Sequence, residues 1–168
     1  MNPPPTRCRQ GYSANIVETT QFGQLNLLTQ KTFHELLNWQ LQLVRRYKKP
    51  GFSLLGLRFV NLAATINELG ELRGHALVDS LVERLQEAVR DTDRCCRVSE
   101  EILWVMMPHT EAEGLQVVRK RLAQGAEQLA SAQIGRLELR QAGFTAPADL
   151  FEHEDAALLL ARLNGELG

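Results

Sequence analysis

Apolar residues recur along the chain at two spacings, and each spacing predicts a different element. Between Thr32 and Lys48 they return every three or four positions, as on one face of a helix, and Lys49-Pro50-Gly51 ends the pattern. The stretch SLLGLRFV at 53–60 is short and almost continuously apolar, which is typical of a buried strand. The folded part of the chain therefore begins with a helix followed by a strand.

The rest of the pattern predicts three further strands and four further helices. In chain order these are helices over 62–69 and 74–89, hairpin strands over 94–98 and 101–107, a helix from a capping box at 110–113 to about 129, a strand over 135–142 and a helix over 149–163. The hairpin strands are antiparallel, which excludes a regular βαβ repeat. The order of a helix, then βααββαβ, then a helix predicts an α/β sandwich with a mixed central sheet and helices on both faces.

Composition indicates one globular domain. The chain has 168 residues, of which 44% are hydrophobic and 23% charged, so it can bury a core of ordinary size. Its first residues include three consecutive prolines and then mostly polar positions. We therefore expect residues 1–22 to form a flexible tail or linker and residues 23–168 to form the domain.

Charge and cysteine content exclude several classes of function. A formal net charge of −1 gives no overall field for nucleic acid, so a charged partner must be recognised locally. Three cysteines, Cys8, Cys95 and Cys96, are too few for a disulfide framework, and four well-separated histidines give no zinc-ligand spacing. No run of 18 apolar residues occurs. We expect a cytoplasmic domain that binds no metal and inserts into no membrane, either alone or as the cytosolic part of a larger, membrane-anchored protein.

Five stretches, in order and at matching spacing, resemble a known family. QLNLLTQKTF at 24–33 is similar to an LTGLLNRRTF opening, and SLLGLRFV stands where a first strand normally ends in Asp-x-Asp. LGELRG at 69–74 corresponds to Gly-His-x-x-Gly-Asp, and RVSEEILWVMMP at 97–108 to Arg-Tyr-Gly-Gly-Asp-Glu-Phe followed by an apolar strand. EDAALLLARLNG at 154–165 is similar to Ala-Asp-x-Ala-Leu-Tyr-x-Ala-Lys-x-x-Gly. These features resemble the GGDEF domain, the diguanylate cyclase domain of bacteria.

The resemblance implies a catalytic site that this chain has lost. In the family two GTP molecules are joined into cyclic di-GMP with divalent cations held by carboxylates. Here the first carboxylate position holds Arg58, whereas the second holds Glu101. Ser99 and Glu100 replace the glycines that let the backbone approach phosphate, and Glu100 would repel a triphosphate. We interpret Ser99-Glu100 as an ordinary exposed hairpin turn.

Further positions implied by the resemblance have also changed. The guanine-recognising Asp falls on His75, and the Asn falls on Ile66 or Asn67. The phosphate-binding Lys becomes Arg162, a tolerable change, but the Arg expected after Gly165 becomes Glu166. These losses together predict a pseudoenzyme with no catalytic residues.

One regulatory motif of the family is retained. Many members carry an inhibitory Arg-x-x-Asp site five residues before the signature, and Arg90 and Asp93 reproduce both the motif and the spacing. An Arg fork matches the O6/N7 edge of guanine, and an Asp accepts protons from guanine N1 and N2. A further family Arg, about eighteen residues beyond the signature, falls on Arg121, with Arg119 beside it. A solvated ion pair between Arg90 and Asp93, with no ligand, is the plain alternative.

The sequence thus predicts a catalytically inactive GGDEF domain that acts as a cyclic di-GMP receptor through Arg90, Asp93 and Arg121 or Arg119. The alternative is a protein interaction or dimerisation module that binds no nucleotide. We expect no cofactor and no nucleic acid partner, while a protein partner or a homodimer stays open. Convergence of the site residues would favour the receptor over the module.

Overall fold

A computed structural model describes residues 27–131 and 136–168, which hold five helices and four strands. In chain order the elements are α1 (Gln30–Tyr47), β1 (Phe52–Phe59), α2 (Leu62–Leu69), α3 (Glu71–Ala88), β2 (Arg94–Arg97), β3 (Ile102–Pro108), α4 (Ala112–Ser131), β4 (Leu139–Ala146) and α5 (Ala156–Leu167). The predicted tail over residues 1–22 lies outside the described residues, as does Gly135 at the start of the last predicted strand.

The four strands form one sheet in the order β2-β3-β1-β4. All three pairings are antiparallel, which confirms the α/β sandwich but corrects the expectation of a mixed sheet. The helical crossovers do join strands of the same direction, β1 to β2 and β3 to β4. A third strand lies between the members of each pair, so no parallel neighbours result. Within the described residues the parallel pairing is confined to an isolated bridge between Leu28 and Cys96.

Helices cover both faces of the sheet and bury two apolar clusters. One cluster joins α2, α3 and α4 to the face that carries Leu55 and Leu57, and the other joins α1 and α5 to the face that carries Leu54. Because β1 is buried on both faces, its sequence is almost continuously apolar, with Ser53 and Arg58 as exceptions. Gly56 admits α5 closely, since a Cβ there would lie 2.8 Å from Leu167 Cδ1. The predicted interior positions Leu55, Leu57, Leu81 and Leu85 are all buried, as expected.

Local signals set the first helices. The Thr29 side chain accepts a hydrogen bond from the Thr32 backbone N–H and caps α1, which ends at Lys48 in the left-handed conformation. Helix α3 starts earlier than predicted because Gly70, with φ of 81°, interrupts the helical conformation and a new helix begins at Glu71. The apolar face predicted for each helix is the buried one.

Three predicted boundaries in the second half of the chain are wrong. Strand β4 runs to Ala146 rather than Ala142, because β1 supplies eight partners that extend to Phe52. Helix α5 begins at Ala156 rather than Asp149, because the Asp149 carboxylate accepts from the Thr145 N–H in the turn after β4, and Asp155 caps the helix instead. Helix α4 begins at Ala112, and the Thr110 hydroxyl donates to the Pro108 carbonyl instead of capping it.

Candidate functional site

The hairpin between β2 and β3 turns without glycine. The Val98 N–H donates to the Ile102 carbonyl at 2.9 Å, and the Ser99 hydroxyl accepts from the Glu101 N–H at 3.3 Å. Ser99 and Glu100 are exposed, and neither has a positive φ. The structure therefore has an ordinary exposed turn here, closed by a serine side chain. Both turn positions carry side chains, so a phosphate could not approach the backbone as closely as it could at two glycines.

Beside this turn, the two positions expected to hold metal ligands form an ion pair. Arg58, near the end of β1, lies opposite Ile102, and its Nε is 3.7 Å from Glu101 Oε2. Both side chains are about a third exposed, at 30% each. Arg140 on β4 also lies opposite Arg58, which places a second cation next to it. A divalent cation at Glu101 would have to displace a guanidinium and approach two positive charges.

Two further positions that the resemblance implies lie on α2 and α3. His75 is exposed on the second turn of α3, and Asn67 is exposed on α2. Ile66 is partly buried and packs against Gly74, where a Cβ would lie 2.8 Å from Ile66 Cγ2.

Arg162, expected to replace a phosphate-binding lysine, is fully engaged elsewhere. Its Nε and Nη2 donate to the two carboxylate oxygens of Glu154 at 2.9 and 2.8 Å. Its guanidinium lies between the rings of Phe144 and Phe151, at 3.9 and 4.1 Å from their centroids. Phe144 pairs with Leu54, four residues along β1 from Arg58, or about 13 Å. Arg162 therefore holds the loop before α5 in place.

The retained Arg-x-x-Asp motif forms a tight turn between α3 and β2. The Asp93 carboxylate Oδ2 accepts from the Arg90 backbone N–H at 2.8 Å, and the Asp93 N–H donates to the Arg90 carbonyl at 3.0 Å. The plain alternative of a side-chain ion pair is thus not what the structure has. Arg90 is exposed, and its guanidinium makes no hydrogen bond or ion pair with any residue of 27–131 or 136–168.

Asp93 is unusual because it is a buried carboxylate with one unpartnered oxygen. The residue is 9% exposed, and Oδ1 has no hydrogen-bond partner in the described part of the chain. Burial raises the pKa of Asp93, and this is only partly offset by the Arg90 N–H bond and by the charges of Arg90 and Arg94. A buried oxygen that lacks a donor costs free energy and would be satisfied by a ligand that brings one.

The cation expected to complete the motif lies in a groove at the same end of α3. Arg121 lines a cavity of about 270 Å³ with Arg84, Glu87 and Ala88, and α3 ends at Ala88, two residues before Arg90. Arg119 points elsewhere: its Nη2 donates to the Gln141 carbonyl at 3.3 Å and its own carbonyl accepts from Gln141 Nε2. The structure joins Arg90 directly to Asp93. Arg121 lines the groove with residues of the last turns of α3, and it makes no direct contact with Arg90 or Asp93 among the described residues.

Two residues of this groove were not predicted. Arg84 and Glu87 lie on the last turns of α3 and form an ion pair of 3.2 Å. The signal was available, since both belong to the polar face of the helix that leads into Arg90. The neighbouring Cys95 is not a reactive candidate, because burial raises the pKa of its thiol to about 12. No group of three or more potential metal ligands occurs within the described ranges, and no helix there is long and apolar enough to cross a membrane.

Comparison with known proteins gives a family and a set of similar structures. The family model described as diguanylate cyclase, GGDEF domain, matches residues 26–166. No curated protein sequence matches the chain.

Several solved structures share the fold at low sequence identity. The GGDEF domain of DgcB from Caulobacter crescentus, solved in complex with cyclic di-GMP, is 14% identical, with a TM-score of 0.64 over 84% of each chain. The isolated GGDEF domain of TpbB, or YfiN, from Pseudomonas aeruginosa is 14% identical with a TM-score of 0.69, over 85% of this chain and 83% of that one. The diguanylate cyclase SiaD from Pseudomonas aeruginosa, in complex with its activator SiaC, gives 14% and 0.67 over 91% of this chain and 60% of SiaD.

Proposed function

The chain belongs to the GGDEF family, and from this premise we propose that it is a catalytically inactive member that binds cyclic di-GMP through Arg90, Asp93 and Arg121. The proposal has two parts, a ligand site that is kept and a reaction that is lost. Each rests on its own contacts and has its own test.

The single observation that carries the ligand site is the unpartnered Oδ1 of Asp93. Guanine presents two adjacent donors, N1–H and N2–H, and a carboxylate can accept both. In the unliganded turn Oδ2 is held by the Arg90 N–H, which fixes the orientation of the carboxylate while Oδ1 lacks a donor. A guanine edge would supply that donor at a site whose geometry is already set.

The two arginines supply the remaining chemistry of such a ligand. The Arg90 guanidinium is exposed and makes no other bond in the described structure, so its fork can reach guanine O6 and N7 without breaking an existing contact. Arg121, in the groove at the end of α3, can meet a phosphate of the same ligand. The complex of DgcB with cyclic di-GMP supports the choice of this ligand.

The loss of the reaction is supported by the Arg58–Glu101 ion pair. Phosphoryl transfer of this kind needs a divalent cation, and the one carboxylate available to hold it is neutralised by a guanidinium 3.7 Å away. The exposed Glu100 adds a negative charge in the turn where a triphosphate would have to lie. Arg162 is less available to bind the phosphates while its Nε and Nη2 hold Glu154.

The ligand site is tested by calorimetric titration of the chain with cyclic di-GMP. A bidentate contact between Arg and guanine contributes about 1 to 3 kcal/mol, so Arg90→Ala is expected to weaken binding about 5-fold to 150-fold. Asp93→Ala should weaken binding similarly, with a loss that does not depend on salt, since no phosphate contact is removed. Arg46→Ala, an exposed arginine on α1 in the opposite layer, is the matched control and should bind as the unmodified chain does.

The titration separates the receptor from the interaction module. Absence of binding at about 100 μM ligand, a concentration at which even weak complexes of some 5 kcal/mol form, would remove the receptor proposal. Equal binding by the unmodified chain and by Arg90→Ala would remove it too. Either result leaves a protein interaction or dimerisation module as the function of the domain.

Catalytic inactivity is tested with GTP and either Mg²⁺ or Mn²⁺. We expect no cyclic di-GMP above a control without protein, because no pair of carboxylates is available to hold the cations. Product that forms with the unmodified chain and is lost in Glu101→Ala would show an active cyclase. This result would overturn the inactive assignment while leaving the binding test independent.

A further inference from the structure

A cluster of positive charge lies at the end of α1, away from the site described above. Residues 45–49 read RRYKK, so four of five positions are cationic, and no acidic residue occurs between Glu35 and Glu68. In a chain whose net charge is −1, this is a strong local excess. Cations in the last turn of a helix complement its dipole, which accounts for Arg45 and Arg46 but not for Lys48 and Lys49 beyond its end.

The outward face of the same helix carries an exposed tryptophan. The buried stripe of α1 is formed by Phe33, Leu37, Leu41 and Val44. Trp39 lies on the opposite side of the helix from this stripe, and Arg46, seven residues later, lies above it on the same face. Trp39 is 55% exposed and Tyr47 is 61% exposed.

Most cations at this end of α1 have no acidic partner among the described residues. The Arg45 Nη2 donates to the carbonyl of Glu154 in the loop before α5, so this cation already has a partner. Arg46 lies 5.5 Å from the centroid of the Tyr47 ring, and Lys48 and Lys49 are exposed. None of Arg46, Lys48 and Lys49 forms a salt bridge with a residue that the structure describes.

We propose that Trp39, Arg46, Tyr47, Lys48 and Lys49, here called the α1 surface, bind the head-group region of a bilayer that contains anionic phospholipid. Lys and Arg are attracted to a negatively charged leaflet, and Trp and Tyr, with an apolar ring and a polar edge, are the residues that settle at its interface. The surface combines both kinds of residue on one convex helix end. Adsorption would be peripheral, with the helix lying on the bilayer.

Charge and shape favour a bilayer over the other anionic partners. Nucleic acid binding usually requires a basic stripe or groove that follows the phosphate backbone, whereas this patch is short and convex and the chain as a whole is slightly acidic. An acidic protein segment would need a groove, and the cavities at Arg84 and Arg121, at Asn61 and Leu139, and at Phe144 and Arg162 include none of these five residues. A negatively charged leaflet can attract the exposed cations and also accommodate the exposed rings of Trp39 and Tyr47.

The test is co-sedimentation of the full chain with phosphatidylcholine vesicles that contain about 30% phosphatidylglycerol, together with pure phosphatidylcholine vesicles. We expect binding to the first only. Lys48→Gln/Lys49→Gln should weaken partitioning about 25-fold, at about fivefold for each cation removed. The matched control is Lys31→Gln/Lys120→Gln, which removes the other two lysines of the chain and should bind like the unmodified protein.

Tryptophan fluorescence gives a second readout. The chain has two tryptophans, and Trp104 is buried with its Nε1 hydrogen-bonded to Asn164, so a blue shift on adding anionic vesicles must come from Trp39. Trp39→Ala should abolish the shift and, because the side chain is exposed, leave the circular dichroism spectrum unchanged. Equal binding to neutral vesicles, equal loss in the control pair, binding to an oligonucleotide but not to vesicles, or no binding would each overturn the proposal.

Discussion

Two turns lie at opposite ends of the four-residue strand β2, and they treat charge in opposite ways. The turn after β2 brings Arg58 and Glu101 together, so that the charge of each is matched by the other. The turn before β2 buries the Asp93 carboxylate with one oxygen unpartnered and leaves the Arg90 guanidinium exposed and unpaired in the described structure. A paired charge gains less from a ligand than an unpaired one, although Arg58 Nε, 3.7 Å from Glu101 Oε2, also makes no hydrogen bond within the described structure. The comparison predicts ligand binding at the turn before β2 and none at the turn after it.

The largest expected effect concerns the support that holds the Arg90–Asp93 turn. Leu85 is buried on the last turns of α3, and its carbonyl accepts from the Val89 N–H just before the turn. Leu85→Ala should lower the free energy of unfolding by about 2 to 5 kcal/mol because it leaves a cavity. Leu72→Ala, on the same helix but 85% exposed, is the control and should change it by less than about 0.5 kcal/mol. Similar urea midpoints for the two variants would show that the phase of α3 is wrong.

Next in size is the contrast between two neighbouring arginines of α4. Arg121 lies in the groove at the end of α3, whereas Arg119 is tied to Gln141. Arg121→Ala should weaken cyclic di-GMP binding about tenfold and reduce its salt dependence, since it removes a cation from a phosphate. Arg119→Ala should change the affinity for cyclic di-GMP by less than about threefold, because Arg119 is not expected to contact the ligand. If calorimetry found the reverse order, the ligand would lie toward β4.

A smaller effect is expected from reversing the charge at the other turn. Arg58→Asp removes a half-buried ion pair and places a carboxylate next to Glu101, which should destabilise the fold by about 1 kcal/mol. Arg58→Met, which keeps an apolar stem without charge, separates the lost pair from the new repulsion. Neither variant should make cyclic di-GMP from GTP, because Glu100 and the engaged Arg162 are unchanged. Product from Arg58→Asp alone would mean that one carboxylate restores the site.

The smallest expected effect is a dependence of stability on pH. Because burial raises the pKa of Asp93 above its ordinary value of 3.8, the folded state favours the protonated carboxyl. Stability from this group is present below pH 3.8 and is lost as the pH rises through the folded-state pKa. Asp93→Asn removes this titrating group. The free energy of unfolding of the variant, measured in urea relative to that of the unmodified chain, should therefore rise from about pH 4 to about pH 7. If the difference in unfolding free energy between the two proteins did not change with pH, the Asp93 carboxylate would be solvated and not buried.

Local rules explain what the sequence determined by itself. Helix and strand periods, the hairpin and the first cap depend on residues a few positions apart, so α1, β1, α2 and the hairpin could be predicted from their own stretches. The α/β class followed from their order, because one hairpin excludes a parallel repeat. The position of Arg90 and Asp93 at the end of a helix followed in the same way.

The tertiary structure decided whatever depends on partners distant in the chain. The end of β4 is set by the length of β1, and the start of α5 by a turn that uses Asp149. The resemblance places Arg162 where the family has a phosphate-binding lysine. In the folded chain its guanidinium contacts Glu154 and two aromatic rings. The burial of Asp93 and the separation of Arg121 from Arg119 likewise depend on how α3, α4 and β4 pack. The sequence determines the chemical type of each side chain. Its burial and its contacts depend on the packing of elements that are distant in the chain.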